Sequence, residues 1–308
     1  MNPIVRNSGL SASLLALSAI AFATSDSVRK TRELNDAWQF HLCKHADCTI
    51  DQLRATDWQP VEIPHTWNAQ DGQDGGNNYF RGVGWYQRTL QIDRTSNHVR
   101  HFLRFRAASI VADVYIDGVH IGQHRGAFAA FCFEITDAIS DGKSHQLMVR
   151  VDNRLHEDVM PLSGDFTMFG GIYRGVELIS TSEVCISPLR FASSGVYLTQ
   201  IHATPKEAKF GVNVYVQNEK QATKNVSIRA LLLDAAENEV TIDEFKKRNE
   251  SEGVEHYSST LTIKQPRRWD GKADPYRFTL RVELIRRNAG ENQPEILDVV
   301  EQTFGARE

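Results

Sequence analysis

Short apolar runs separated by turn-forming residues dominate the chain, and the apolar positions within these runs recur with a period of two. Val149 and Val151 flank a polar residue, and Val212, Val214 and Val216 repeat the pattern. This alternation is typical of β-strands with one buried face. Long stretches with helical periodicity are nearly absent. The pattern therefore predicts an all-β chain built from sandwiches or barrels.

Two dipeptides predict tight turns between strands. Asp117-Gly118 lies between two strand-like runs, and Asp141-Gly142 precedes another. Both central residues of a type I′ turn need positive φ, which Asp and Gly adopt at low cost. We therefore expect a hairpin turn at each position.

The character of the sequence changes near Ser187-Pro188. Aromatic residues and glycines are dense before this point, whereas the strands after it are shorter and more charged. A length of 308 residues suits about two domains. The sequence therefore predicts a larger β domain over residues 26–187 and a smaller one over residues 188–308.

The N-terminus has the pattern of an export signal. Arg6 precedes the small and apolar run LSASLLALSAIAFA, which ends in Ala21-Phe22-Ala23. An A-x-A ending is typical of signal-peptide cleavage, and the run is short for a membrane span. We expect residues 1–23 to be a signal peptide and the protein to be exported, either periplasmic or secreted. An uncleaved N-terminal anchor is the alternative, and no later segment is apolar enough to span a membrane.

The charge pattern excludes one class of function. The net charge is −4, and acidic and basic residues are mixed along the chain. Nucleic-acid binding needs a concentrated basic face. The sequence therefore predicts no nucleic-acid partner.

Four cysteines are present. Cys43 and Cys48 are close enough in sequence to close a small loop, and export would permit a disulfide there. Cys132 and Cys185 lie in strand-like runs and are interpreted as small buried hydrophobic residues. No cysteine or histidine spacing is typical of a zinc site, so neither a metal nor a cofactor is predicted.

Five motifs in a fixed order carry a family resemblance. They are WQPVEIPHTWN (Trp58 to Asn68), NNYFRGVGWYQRTL (Asn77 to Leu90), ADVYIDGVHIGQHRGAFAAFCFEIT (Ala112 to Thr136), VRVDNR (Val149 to Arg154) and GDFTMFGGIYRGVEL (Gly164 to Leu178). Together they resemble the N-terminal part of glycoside hydrolase family 2, the family of bacterial β-galactosidases and β-glucuronidases. The resemblance implies a jelly-roll sugar-binding domain over residues 26–187 and an immunoglobulin-like sandwich over residues 188–308. A catalytic (β/α)8 barrel follows in that family.

The resemblance also implies where the chemistry lies. Retaining glycosidases use two carboxyl groups about 5–5.5 Å apart, and in this family both come from barrel strands. The run Phe304 to Arg307 resembles the strand that leads into the barrel, and the sequence ends at Glu308. We therefore expect no catalytic residue in this chain. It would be the non-catalytic part of an exported β-galactosidase-like enzyme, whose barrel belongs to the same or another chain.

Two other interpretations stay open. The chain would be a free-standing carbohydrate-binding module without hydrolase activity, or a structural piece that assembles with a barrel chain or with itself as a homo-oligomer. An exposed apolar patch for a barrel would distinguish the enzyme part from the free module, since large patches mark interfaces.

Candidate sugar contacts lie in two loops. Asp165 precedes the Gly-Ile-Tyr-Arg turn, and the resemblance implies that an acid there reaches into the sugar subsite. The polar loop NAQDGQDGGNN supplies Asp71, Asp74, Asn77 and Asn78. Carboxylates and amides can hydrogen-bond sugar hydroxyls. The alternatives are an Asx turn at Asp165 and a plain solvated loop.

Neighbouring residues are given structural interpretations. Arg174 is expected to fix the turn through an ion pair, with a sugar contact as the alternative. Trp85 and Tyr86 are interpreted as core, and His65 as a hydrogen-bonded turn residue. Tyr173 stands where glucuronidase-type relatives usually have His, which favours a β-galactoside as the sugar.

Overall fold

The computed structural model describes residues 29–43, 48–53, 58–71, 79–92, 100–160, 162, 167–218, 226–246, 249–251, 254–290 and 292–307. These residues form antiparallel β-strands and short 3-10 turns, without an α-helix among them. The all-β prediction is therefore confirmed, as a jelly-roll sandwich followed by an immunoglobulin-like sandwich.

Ten strands of the first sandwich lie in the described part of the chain. They are β1 (Lys30–Glu33), β2 (Trp38–Leu42), β3 (Gln59–Val61), β4 (Val83–Leu90), β5 (Arg100–Phe105), β6 (Val111–Ile116), β7 (Val119–Arg125), β8 (Phe131–Glu134), β9 (His145–Asp152) and β10 (Val176–Thr181). A four-stranded sheet has the order β1-β10-β5-β8, and a six-stranded sheet has the order β3-β2-β4-β9-β6-β7. Strands adjacent in sequence often lie in opposite sheets, as expected for a jelly roll.

Strand β9 shows how the period-two pattern builds this core. Leu147, Val149 and Val151 point into the space between the sheets and are fully buried there. Met148 points to the outer face of the six-stranded sheet, where it packs with Val83, Trp85 and Cys43 in a smaller cluster. Because alternate residues face opposite sides of a strand, one run serves two apolar clusters.

Among the described residues, the second sandwich has nine strands. They are β11 (Cys185–Ile186), β12 (Val196–Ala203), β13 (Glu207–Gln217), β14 (Val226–Leu233), β15 (Glu239–Phe245), β16 (Asn249–Ser251), β17 (Val254–Lys264), β18 (Phe278–Arg286) and β19 (Glu295–Phe304). One sheet has the order β11-β13-β17-β16, with β12 also paired to β13, and the other has the order β15-β14-β18-β19. Val212, Val214 and Val216 are fully buried between these sheets.

The two predicted turns have different outcomes. Asp117 and Gly118 have φ of 50° and 80° and connect the paired strands β6 and β7, so the type I′ prediction is confirmed. The second prediction was wrong. Gly142 has a φ of 71°, but β8 and β9 lie in different sheets, so the segment crosses between sheets. The Asp141 carboxylate instead accepts a hydrogen bond from the Lys143 backbone N–H at 3.0 Å.

The junction between the sandwiches is held by one ion pair. Arg29, directly before β1, donates from Nε to Asp298 Oδ1 at 2.9 Å and from Nη2 to Oδ2 at 2.6 Å. Asp298 is fully buried on β19 and also accepts the Ile186 N–H at 2.8 Å. Strand β11, which precedes the predicted boundary at Ser187-Pro188, already pairs with β13 of the second sandwich. The boundary itself stays a prediction.

The cysteines are distributed as the residue pattern suggested. Cys43 and Cys48 form a disulfide with Cα atoms 5.8 Å apart. Cys185 is buried and Cys132 is half-buried, and both pack in one apolar cluster with Phe102. Burial raises the pKa of the Cys132 thiol to about 12 and that of Cys185 to about 11. Both thiols are therefore inert at neutral pH.

Candidate functional site

Two fully buried asparagines join the loops at one end of the first sandwich. Asn68 follows β3, and Asn153 follows β9. Asn68 Oδ1 accepts the Gly170 N–H at 2.9 Å, and its Nδ2 donates to the Met168 carbonyl at 3.1 Å. Asn153 Nδ2 donates to the same carbonyl at 2.9 Å, and its Oδ1 accepts the Gly82 N–H at 2.8 Å. We call these two side chains the asparagine clamp.

The clamp determines which loops lie together. It joins the β3–β4 loop to the β9–β10 loop through buried hydrogen bonds, which are expensive to leave unmade. The β7–β8 loop is attached by Tyr173, whose hydroxyl donates to the Ala127 carbonyl at 2.6 Å. We call the described residues of these three connections, 62–71, 79–82, 126–130, 153–160, 162 and 167–175, the loop end of the first sandwich.

The two glycines of the Gly-Ile-Tyr-Arg turn are required by close packing. A Cβ on Gly170 would lie 2.1 Å from the Trp67 ring, and one on Gly171 would lie 2.5 Å from the His65 carbonyl oxygen. Gly171 also has a φ of 130°, which other residues rarely adopt. The His65 N–H donates to the Ile172 carbonyl at 2.8 Å. The glycines thus let one loop lie directly against the other.

Asp71 is the one predicted sugar contact among the described residues. Its Oδ2 accepts the Phe80 N–H at 2.8 Å, and its own N–H donates to the Asn68 carbonyl at 3.3 Å. The carboxylate therefore joins the two ends of segment 72–78 and has a structural role in its loop. Asp74, Asn77, Asn78 and Asp165 lie outside the described residues.

The structure places the flanks of both predicted loops side by side. Asn68 and Asp71 precede segment 72–78, and Met168 and Gly170 follow segment 163–166. Composition and motifs mark the two loops in the sequence, whereas the clamp is visible only in the structure. Asn68 and Asn153 both belong to the quoted motifs, WQPVEIPHTWN and VRVDNR. An asparagine after a strand usually indicates a turn, so the pattern alone carries no sign of a buried contact.

Buried aromatic side chains pack behind the loops. Trp85 and Tyr86 are buried, as predicted. Tyr86 Oη lies 2.8 Å from His65 Nδ1, so His65 is hydrogen-bonded in its turn. Burial lowers the pKa of His65 and raises that of Tyr86, so both side chains are neutral at neutral pH. This hydrogen-bonded pair packs behind the loops and supports them.

Arg174 differs from its prediction. Its side chain is exposed, and its guanidinium carbon lies 5.7 Å from the Tyr173 ring centroid. No carboxylate among the described residues forms an ion pair with it. Within this part of the chain, the turn is held by the clamp and the glycine packing instead.

Apolar side chains are exposed in unusual number on the loop end. Of the twelve large hydrophobic residues exposed in the described part of the chain, six lie on these three connections, with exposed fractions between 36% and 70%. They are Phe80, Phe128, Leu155, Met160, Leu162 and Phe169. Beneath them, Ile110, Val111, Ala127, Val159 and Met168 form a buried cluster with Tyr79. Exposed apolar side chains that are concentrated on one surface indicate that this surface contacts another protein or domain.

A cavity of about 470 Å³ lies elsewhere, at the junction of the two sandwiches. Its lining includes the ion-paired Arg100 and Glu134, together with His120, Glu183 and Asn218. None of its lining residues belongs to the loop end. The candidate site is thus an open surface of loops in the described part of the chain.

No helix among the described residues has both the length and the apolar character needed to cross a membrane.

Comparisons with known proteins agree with this architecture. Residues 31–182 match the model of the glycosyl hydrolases family 2 sugar binding domain, and residues 194–307 match a second glycosyl hydrolases family 2 model. A β-glucuronidase of Bacteroides fragilis is 37% identical over 275 residues, which cover 89% of this chain and 37% of that protein. A β-galactosidase of Bacteroides ovatus is 28% identical over 280 residues, covering 88% of this chain and 31% of that protein.

A solved structure is similar over nearly the whole described fold. The crystal structure of a Bacteroides uniformis β-glucuronidase superposes with a TM-score of 0.80 at 26% identity, covering 90% of this chain and 32% of that one. The chain therefore spans about a third of the length of the relatives it matches. From the two matching models, the shared motifs and the paired sandwiches, the chain belongs to glycosyl hydrolases family 2.

Proposed function

We propose that this chain is the N-terminal, non-catalytic part of an exported β-glucuronidase- or β-galactosidase-like enzyme. Its loop end contacts the catalytic barrel, and Asp165 contributes a carboxylate to the sugar subsite. The immunoglobulin-like sandwich braces the barrel from the other side. The hydrolytic carboxyl groups belong to the barrel, where two such groups act on the glycosidic bond.

The exposed apolar side chains of the loop end carry this proposal. Leu155 and Met160 are 59% and 70% exposed, although they lie on a loop whose base is fixed by buried hydrogen bonds. An isolated domain gains nothing from holding such side chains in water, whereas covering them stabilises an interface by about 25 cal/mol per Å². A barrel of the same enzyme is the partner that the family supplies. A free-standing sugar-binding module would not need this surface.

The clamp supports a role for the loops in substrate selection. A carboxylate that accepts hydrogen bonds from sugar hydroxyls selects its substrate only when its backbone is held in place. Segment 163–166 is followed by Met168, whose carbonyl accepts from both clamp residues, and by Gly170, whose N–H donates to Asn68. The loop that carries Asp165 is therefore anchored directly after segment 163–166.

Two observations bear on the identity of the sugar, and they favour different sugars. Tyr173 at the turn favours a β-galactoside, as the sequence analysis argued. The relative that is 37% identical is a β-glucuronidase, and the β-galactosidase of Bacteroides ovatus is 28% identical. We infer that the enzyme acts on one of these two β-glycosides. Assays with both aryl glycosides decide between them.

A chimera tests the role of Asp165. Residues 29–307 of this chain replace the matching part of the Bacteroides fragilis β-glucuronidase, and kcat/KM is measured on aryl β-glucuronide and aryl β-galactoside. We expect an active chimera in which Asp165→Asn lowers kcat/KM by about 10- to 100-fold, because a hydrogen bond to a charged group contributes about 1.5–3 kcal/mol. Asp158→Asn is the matched control, since Asp158 lies on the same loop and makes an exposed ion pair with Arg125.

Three outcomes would contradict the proposal. Equal kcat/KM for the two variants would exclude Asp165 from the subsite. A folded but inactive chimera would argue against docking to a barrel. Tight binding of sugar by the chain alone, measured by calorimetry, would favour the free-standing module instead.

A second variant tests the docking surface separately. In the chimera, we expect Met160→Asp to lower the free energy of unfolding by about 2 kcal/mol or more, because it buries a charge at an interface. In the isolated chain the same change should cost less than about 0.5 kcal/mol, since Met160 is exposed there. Val119→Asp is the control, because Val119 is 65% exposed on the β6–β7 hairpin, outside the loop end. Equal effects of Met160→Asp in both proteins would contradict docking at this surface.

A further inference from the structure

A cluster of three metal-ligating side chains lies on the outer face of the six-stranded sheet. His41, Cys43 and Cys48 each offer one ligand atom, and these atoms all lie within 4.8 Å of one another. No zinc-type spacing connects these residues in the sequence, which predicts no metal site. Strand alternation places His41 and Cys43 on one face, and the Cys43–Cys48 disulfide brings Cys48 to them. The cluster is separate from the loop end and has no part in the proposed function.

Local geometry explains the grouping. Trp38, Phe40 and Leu42 of β2 face the core, so His41 points to the outer face, where it pairs across the sheet with Trp85. Cys43 packs against Trp85 on that same face. A period-two strand therefore places a His-x-Cys pair side by side. Cys48 reaches them from the loop that leads to the 3-10 turn Ile50–Gln52.

The backbone around the cluster is held by contacts other than the disulfide. Trp85 Nε1 donates to the Cys48 carbonyl at 3.0 Å, and the Cys43 N–H donates to the Val83 carbonyl at 3.0 Å. The Thr49 N–H also donates to the Gln52 side chain at 2.9 Å. The two cysteine Cα atoms, 5.8 Å apart, therefore keep their separation when the sulfur–sulfur bond is opened.

The surroundings favour thiolate coordination. Cys43 is buried, and apolar side chains of Ile50, Leu53, Trp58 and Met148 pack in the same cluster. The Trp58 ring lies 6.0 Å from the His41 ring. Such apolar neighbours lower the local dielectric constant and strengthen electrostatic bonds between a cation and its ligands.

We propose that the reduced form of this site binds a zinc ion through His41, Cys43 and Cys48, and that the disulfide is its metal-free alternative. One imidazole nitrogen and two thiolates form a Cys2His set typical of zinc, and the fourth position is left for water or an external ligand. Zinc–ligand bonds of about 2.0–2.3 Å bring tetrahedral ligand atoms to about 3.3–3.8 Å from one another. Small side-chain rotations reach this from the observed separation.

The two states exclude each other because each uses both sulfur atoms. In the reductive step, two molecules of a small thiol supply two electrons and two protons to the Cys43–Cys48 bond and leave as their own disulfide. Zinc then displaces one proton from each cysteine thiol, and both protons pass to solvent. The site therefore binds zinc only under reducing conditions.

Metal titration of the purified chain tests the site. The chain is reduced, freed of reductant and metal, checked for its fold by circular dichroism, and titrated with Zn²⁺ against a chromophoric chelator. We expect one Zn²⁺ per reduced chain and none at this site in the oxidised chain. Co²⁺ as a probe should show the near-ultraviolet absorption of a thiolate–cobalt bond. Cys48→Ser should abolish this binding, and His41→Gln should weaken it at least tenfold.

The matched control is His120→Gln, which should leave zinc affinity unchanged. His120 is half-exposed in the same sandwich, and its ring lies 5.0 Å from an aromatic ring, that of Tyr115. Absence of stoichiometric binding by the reduced, folded chain would overturn the proposal. Equal affinities of the two histidine variants would also overturn it, because the dithiol would then bind zinc without His41. The His41→Gln comparison remains decisive if Cys48→Ser fails to fold.

Discussion

The Asp298→Ala variant should lose about 3–5 kcal/mol of the free energy of unfolding, since breaking one side of a buried ion pair leaves the other charge uncompensated. Asp298 is fully buried and accepts two hydrogen bonds from Arg29 and one from the Ile186 N–H. Alanine would remove the carboxylate partner of the guanidinium and the acceptor of this amide at the junction of the sandwiches. Chemical denaturation followed by circular dichroism measures the loss.

A second ion pair on the same strand provides the control. Glu295 pairs with Arg286 at 3.2 Å, and both side chains are substantially exposed. Exposed pairs contribute about 0–1 kcal/mol, so Glu295→Ala should change stability little. The double variant Arg29→Met/Asp298→Leu should recover most of the lost stability, because apolar replacement removes the unpaired charge. If Asp298→Ala costs no more than Glu295→Ala, the junction does not depend on this pair.

The Asn153→Asp variant should lose about 2–4 kcal/mol at neutral pH. The change keeps the shape of the side chain but replaces the donor Nδ2 by an anionic oxygen that faces the Met168 carbonyl. A buried group without its partner costs about 1–3 kcal/mol, and more when it is charged. Hydrogen exchange at Gly82 and Gly170 should accelerate as well, since the clamp holds the loops that contain them.

The sign of the pH dependence distinguishes this mechanism from a general loss of packing. A protonated aspartic acid can again donate to the carbonyl, so the destabilisation should shrink as pH falls from 7 to 5. Asn213→Asp is the matched control, because Asn213 Oδ1 lies 3.0 Å from His256 Nε2, a contact that a carboxylate preserves. A pH-independent loss in Asn153→Asp would contradict the assigned donor role.

The sequence gives more indication of the residue behind one of these two predictions than of the residue behind the other. Asn153 belongs to a quoted motif, so its position was marked, although its contact with Met168 was not. Asp298 lies in an ordinary strand, and its partner is 269 residues away. In the sequence, a buried acidic residue in a strand cannot be told from a solvent-exposed one. Alternation shows which residues share a face of the strand, but not whether that face meets solvent or a second domain.

The two candidate loops show the same difference between what the sequence and the structure reveal. The sequence located Asp165 and the polar run from Asp71 to Asn78 by motif and composition. It proposed Asp71 as a sugar contact, which stays a prediction, and the structure adds that the Asp71 carboxylate accepts the Phe80 N–H within its own loop. Loop residues lack the periodicity that predicts which face a side chain occupies, so their roles follow only from what packs nearby.

The sequence by itself determined the all-β class, the two sandwiches, the type I′ turn at Asp117-Gly118 and the family. Each depends on local information, such as alternation along a strand, the φ preference of a turn residue, or motifs in a fixed order. Only the tertiary structure decided the asparagine clamp, the Arg29–Asp298 pair and the grouping of His41 with Cys48. These contacts join segments brought together by the pairing order of the strands and by loop packing. A residue pattern encodes which face a strand buries, and the partner on that face depends on the assembled fold.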